Sequence, residues 1–146
     1  MENRPGRKLF TPGEILTLVG VVLAVMSAAN TWANIPPKTT SMVAATYVAT
    51  YQKNAYLTSG YGLMAGPISV GWLVVLAALA VGALLLYQPT NQQRSRFFYG
   101  QMAAGLLILA LAVRYLSLYA GVIMALAGAA ALLIGAVLRY SREPQP

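Results

Sequence analysis

From Phe97 to Leu138 the chain runs for 42 residues with a single charged side chain, Arg114. Built as one helix, such a stretch would reach roughly 60 Å, about twice the hydrocarbon thickness of a bilayer. It is therefore expected to fold back on itself. Arg114, Tyr115, Ser117 and Tyr119 gather at its midpoint and mark the hairpin, which leaves apolar segments at about 97–116 and 119–138. Two further segments of the same kind precede it, at about 15–33 and 68–87, and none of the four carries an ionisable group in its middle. Each is close to the ~20 apolar residues that a membrane-crossing helix needs. The predicted fold is all-α. It is an integral membrane antiparallel bundle of four transmembrane helices, one membrane domain over 1–146, with a short amphipathic helix in the first outer loop.

Composition agrees with a bilayer as solvent. Hydrophobic residues make up 58% of the chain and charged residues only 9%, whereas a soluble domain runs near a quarter charged. So few charges cannot cover a water-facing surface. The same counts exclude most catalytic chemistry. The chain has no Cys, no His and no Asp, and its acids are Glu2, Glu14 and Glu143. A disulfide framework, a zinc–thiolate site, a thiol nucleophile, a Ser–His couple and imidazole ligation of a metal or haem are all absent. A carboxylate dyad would need Glu14 and Glu143 to meet at one membrane face. No metal site and no catalytic residue are expected. No cofactor is predicted either, although apolar contacts and backbone or amide oxygens would suffice to hold a lipid or pigment.

The first segment has a well-marked start. Thr11-Pro12-Gly13-Glu14 reads as a capping box, with Thr11 as N-cap, Pro12 at the first helical position and Glu14 reaching back. That role accounts for Glu14 without proton chemistry. Phe10 stands where a hydrophobic staple would. A competing reading takes Arg7-Lys8 and Ser27-Ala28-Ala29 as parts of a cleaved signal peptide; the capping box speaks against it. The second segment opens at Gly66-Pro67 and stops before Pro89.

Aromatic placement supports the division. Of the fourteen aromatic residues, Tyr47, Tyr51, Tyr56 and Tyr61 lie in the long first loop. The other ten, among them Trp32, Trp72, Tyr87, Phe97, Tyr115 and Tyr140, fall near a segment end, as expected of belts at two headgroup layers. With the N-terminus cytoplasmic, the inner segments hold Arg4, Arg7, Lys8, Arg94, Arg96, Arg139 and Arg142, and the outer ones hold Lys38, Lys53 and Arg114. Seven against three obeys the positive-inside rule. Both termini are therefore expected on the cytoplasmic side, in a membrane of the bacterial inner type, with loop 34–67 outside. The net charge of +7 is assigned to these flanks and not to nucleic acid, because no cluster of five or more Lys/Arg occurs.

In loop 34–67, Val43, Ala44, Tyr47, Val48, Tyr51 and Ala55 recur at helical spacing, with Ser41 as a cap. This predicts the short amphipathic outer helix; the rival is a hairpin turning at Lys53-Asn54, since Thr, Val and Tyr also suit strands. The Tyr/Gly-bearing return from Tyr56 to Met64 is a candidate contact surface. Helix association in lipid relies on small residues. The fourth segment is richest in them, at Gly121, Ala125, Gly128, Ala129, Ala131 and Gly135, which leaves room for a partner helix. Candidate partner or lipid contacts are therefore Tyr47, Tyr51, Tyr56, Tyr61, Arg114, Gly121, Ala125, Gly128 and Gly135. Arg114 would reach an anionic lipid head or simply snorkel. Thr17, Ser27 and Gln101 are the deepest uncharged polar groups, with Gln101 able to bond a neighbouring backbone.

Trp32 closing the first segment, the Tyr/Gly loop, Gly71-Trp72-Leu73 and Leu118-Tyr119-Ala120-Gly121 together resemble a loose group of short four-pass bacterial membrane proteins. Some of these are known by association with tryptophan-biosynthesis genes. The resemblance spans about 15–140 and implies topology; it brings no activity or catalytic residues. The expected function is non-catalytic, an accessory or scaffold subunit of a larger membrane complex, with other membrane subunits and lipids as partners. The alternative is a small transport or lipid-binding membrane protein.

Overall fold

The structure is a computed structural model that describes residues 11–35, 39–44, 47–52, 56–87 and 90–141. Among these, four α-helices carry the fold: α1 (Pro12–Ala29), α2 (Val70–Leu86), α3 (Asn91–Arg114) and α4 (Ala120–Tyr140). Helices α1, α3 and α4 are long and apolar enough to cross a membrane, and α2 is a shorter apolar helix. The α1–α4 contact is the most extensive; α3 packs on α4 and α2, and α2 closes the ring against α1.

The start of α1 follows from its sequence. The Thr11 hydroxyl accepts from the Glu14 amide at 3.3 Å, and Glu14 Oε2 accepts from the Thr11 amide at 2.9 Å. Two orphan amides of the first turn are thus satisfied. The Phe10 staple lies outside the described residues. Helix α1 ends at Ala29, four residues before the apolar run does, because the chain turns at Asn30 to bring Trp32 back onto the helix. Gly66, at φ +71°, turns the chain between β5 (Met64–Ala65) and β6 (Ile68–Ser69). Helix α2 then starts at Val70, with the Ser69 hydroxyl accepting from the Trp72 amide at 3.3 Å. The α3–α4 reversal occupies 115–119, where the polar cluster predicts it. Helix α3 begins six residues before the apolar run: its first turns, Asn91 to Arg96, are polar and precede its apolar length.

The outer loop corrects the sequence reading. The expected amphipathic helix is absent from the described residues there, which are strands. β1 (Thr31–Ile35) pairs antiparallel with β4 (Tyr56–Ser59), and β2 (Thr39–Ala44) pairs with β3 (Tyr47–Gln52). The two ladders share one register: Ile35 pairs with Tyr56, and Thr39 with Gln52. They are two separate two-stranded sheets, and the β2–β3 pairing of Ala44 with Tyr47 puts the reversal between those residues, not at Lys53-Asn54. Helical spacing in this stretch coincides with a run of Thr, Val and Tyr, whose branched and aromatic side chains favour extended backbone. The antiparallel β2–β3 pairing realises the extended one.

Inside the ring alanine and valine supply most of the enclosed apolar side chains. Ala24, Ala28, Ala78, Ala112, Ala125, Ala129 and Ala136 are fully enclosed, alongside Val70, Val74, Ile108, Val122 and Leu132. Outside, the large apolar side chains stand exposed, including Ile15, Leu18, Val22, Met26, Leu76, Leu79, Leu106, Ile123 and Ile134. A water-soluble bundle has the opposite distribution.

Candidate functional site

The α1–α4 seam sets up the polar interior. Gly13, Gly20 and Gly135 let the two backbones approach. A Cβ on Gly20 would meet the Gly128 carbonyl oxygen at 2.9 Å, and one on Gly135 would meet Thr17 Oγ1 at 2.5 Å. Gly135 thereby leaves space for the Thr17 hydroxyl. Thr17 donates that hydroxyl to the Gly13 carbonyl at 2.7 Å and accepts from Gln101 Nε2 at 2.9 Å. Gln101 Nε2 also donates to the Leu132 carbonyl at 3.0 Å. Gln101 is fully enclosed, and its Oε1 is buried with no partner. One amide thus ties α3 to α1 and α4 in a setting where water cannot compete. The backbone bond foreseen for Gln101 is present; the Thr17 partner is not legible in one dimension.

A second polar group lies one turn away, where α1 and α3 begin and α2 and α4 end. Arg139 is enclosed to within 8% of its side-chain surface. Its Nη2 donates to the Leu84 carbonyl at 3.1 Å and the Tyr87 carbonyl at 3.4 Å, and its Nε stands 4.0 Å from Glu14 Oε1. The last carbonyls of a helix have no intrahelical partner, so Arg139 caps α2 from α4 while facing the acid of α1. Its Nη1 is buried without a partner. Arg94 Nη2 donates to the Tyr140 carbonyl at 3.2 Å and joins α3 to the end of α4. Sequence reasoning placed Arg139 and Arg94 among the flanking charges and missed both contacts. The available signal was Glu14, the sole acid in the apolar segments' flanks outside the terminal residues 2 and 143.

Beside Arg94 is a cavity of about 400 Å³ lined by Arg94, Ser95, Phe98, Val137, Tyr140 and Ser141. Phe98 and Tyr140 meet edge to face there, with centroids 6.0 Å apart. Among the described residues no group of His, Cys, Asp or Glu could hold a metal ion. The polar interior built from Thr17 and Gln101 carries no group that titrates near neutral pH.

At the opposite end Trp32 is fully buried within the protein. Its indole Nε1 donates to the Ser27 carbonyl at 2.7 Å, its carbonyl accepts from the Ser117 hydroxyl at 3.1 Å, and its ring meets Tyr115 edge-on at 6.3 Å. Gly121 and Gly60 lie against the indole, too close to admit a side chain without displacement. Trp72, by contrast, is 55% exposed, edge-on to Tyr61 at 5.6 Å.

The predicted contact residues separate into three groups. Gly121, Ala125, Gly128 and Gly135 are buried inside the chain: Gly121 against Trp32, Gly128 against Ala24, Gly135 against Thr17. The room expected there for a partner helix is taken by α1 at Gly128 and Gly135 and by Thr31 and Trp32 at Gly121. Tyr61 and Arg114 are exposed, with the Arg114 guanidinium 5.8 Å from the Tyr115 ring centre. Tyr47 and Tyr51 fall in β3 and Tyr56 in β4, and their side chains lie outside the described set. Comparison with protein-family models, with curated proteins and with solved structures finds no match.

Proposed function

We propose that this chain is a four-pass integral membrane protein without catalysis of its own, acting as an accessory or scaffold subunit of a larger membrane complex. The observation that carries the bilayer part is the exposed surface: large apolar side chains of Leu, Ile, Val and Met stand outward along all four helices, while alanine and glycine are frequent where the helices meet. Lipid tails solvate large apolar side chains as well as a core does, so such a chain gains nothing by hiding them and gains packing by hiding Gly and Ala. Helix α2, at 17 residues, is about 26 Å long, a mismatch that local thinning of the bilayer or tilt accommodates at small cost. Arg94, Arg96 and Arg139 stand at one end of the bundle and Arg114 at the other, which supports a bacterial inner membrane with cytoplasmic termini. The accessory role is supported by polar interior groups engaged in structural bonds and by an exposed face at Tyr61 and Trp72. A second reading, a small transport or lipid-binding protein, is favoured by the cavity between α3 and α4.

Because the chain lacks cysteine, single cysteines report topology cleanly. In the exposed α3–α4 turn, Leu118→Cys is expected to react with a membrane-impermeant maleimide in intact cells, and Gln92→Cys only after lysis. Labelling of both before lysis would remove the four-pass topology. Extraction in mild detergent followed by sizing tests the role: the chain is expected to elute with other subunits. A lone species of 15.5 kDa in every lipid condition would overturn it.

A further inference from the structure

We propose that the interior of the helix ring is a binding site for a single water molecule, which accepts from Arg139 Nη1 and donates to Gln101 Oε1. The site goes beyond the accessory reading and does not depend on it. Two diagonals define its place. Around the ring, α1 and α3 each neighbour α2 and α4, so α1 stands opposite α3 and α2 opposite α4. Gln101 leaves α3 and reaches Thr17 on α1, at 2.9 Å. Arg139 leaves α4 and reaches the Leu84 carbonyl on α2, at 3.1 Å. Both side chains therefore cross the middle of the ring, one above the other. Helix α1 gives their levels: Gln101 meets Thr17, and Arg139 faces Glu14. Three residues of helix rise about 4.5 Å, and Glu14 leans further back, to the Thr11 amide. One water between a donor and an acceptor spans roughly 5.6 Å, two hydrogen bonds end to end. The separation of the two levels suits one bridging molecule.

The two polar atoms are complementary. Gln101 is fully enclosed, and both hydrogens of its Nε2 are used, at Thr17 Oγ1 and at the Leu132 carbonyl. That carbonyl only accepts, so the amide cannot be turned to place Oε1 there. Oε1 is left as a buried acceptor without a donor. Arg139 Nη1, on a side chain enclosed to within 8%, is a buried donor without an acceptor. Either group left unpaired is costly where the dielectric is low. Helix α2, across the ring from Arg139, brings no donor to this end: from Val70 to Leu86 its side chains are hydrocarbon except for Trp72, near its start. An anion would satisfy Nη1 and be repelled by Oε1, and a cation would do the reverse. Water offers a donor and an acceptor together, which is the usual role of buried water. Tyr140 Oη is also buried without a partner; its ring packs on Phe98, between α3 and α4, and the bridge does not need it.

The test uses the full isotope-labelled chain in lipid nanodiscs and reads dipolar contacts between water and buried side chains by NMR, with rotating-frame signs separating contact from proton exchange. In the unmodified chain a water contact is expected at both the Gln101 amide and the Arg139 guanidinium. Gln101→Met, close in shape and without the acceptor, should abolish the contact at Arg139, although Arg139 is unaltered. Tyr140→Phe should leave both contacts in place. A contact at neither group, or at one alone, would overturn the bridge. So would a contact at Arg139 that survives Gln101→Met, since water would then be entering from the end of the bundle. A direct contact between the two side chains would overturn it in favour of a bond within the protein. Loss of both contacts in Tyr140→Phe would overturn it by moving the water to that hydroxyl. Where Gln101→Met does not fold, the paired contacts of the unmodified chain and of Tyr140→Phe decide the matter.

Discussion

Replacing Gly135 by leucine is expected to destabilise the folded bundle by about 3 kcal/mol, the upper part of the range for overpacking a closed interior. A Cβ alone at this position would stand 2.5 Å from Thr17 Oγ1, 3.0 Å from the Thr17 amide nitrogen and 3.1 Å from the Gly13 carbonyl oxygen. Two of those three atoms are backbone, so relief requires α1 and α4 to separate. Separation would also pull Thr17 from Gln101 and slacken the tie to α3. Gly82 provides the control. Its Cβ would meet only Val21 Cγ1, at 3.7 Å, an ordinary contact. Gly82→Ala should therefore be neutral or stabilise by up to about 1 kcal/mol, the difference in helix propensity. Both are read by SDS-titrated unfolding in mixed micelles. Equal midpoints for the two variants would show that the α1–α4 seam does not hold the bundle together.

Trp32→Ala is expected to cost about 3–5 kcal/mol, the range for removing a large enclosed aromatic. The indole fills the end of the bundle between Gly121, Gly60 and Tyr115 and satisfies the Ser27 carbonyl. Its loss leaves a void that surrounding glycines cannot fill, since they have no side chains to move. Trp32→Phe keeps most of the ring and loses the N–H donor, so it should cost about 1–2 kcal/mol, a hydrogen bond with some packing. Fluorescence gives an independent check, because the chain has two tryptophans. In a Trp72→Phe background, Trp32 should resist acrylamide and brominated lipid alike. In a Trp32→Phe background, Trp72, 55% exposed, should be quenched by brominated lipid. A readily quenched Trp32 would contradict its placement inside the bundle.

Gly135 and Trp32 also mark how far one dimension reaches. The small residues of the fourth segment are plain in the sequence, as is their role in close helix approach. Which helix approaches is not, because Gly128 and Gly135 present the same stripe to α1 as they would to another chain. Trp32 likewise reads as a belt residue from its place at a segment end. Only the turn at Asn30 and the glycines at positions 60 and 121 show that protein, not headgroups, surrounds it. The outer loop failed for a related reason: helical spacing and strand-favouring composition overlap from Val43 to Tyr51, and the β2–β3 cross-strand pairing resolves them.

The chain itself decided the four apolar helices, the capped start at Thr11 and the reversal near Tyr115, since these depend on local hydropathy, spacing and caps within a few residues. Folding in three dimensions decided that Gln101 meets Thr17, that Arg139 seals α2, that α1 takes the glycine stripe of α4, and that a cavity forms beside Arg94. Those outcomes join residues dozens of positions apart, and the packing that selects among equivalent small-residue stripes acts through distance in space, which order along the chain does not encode.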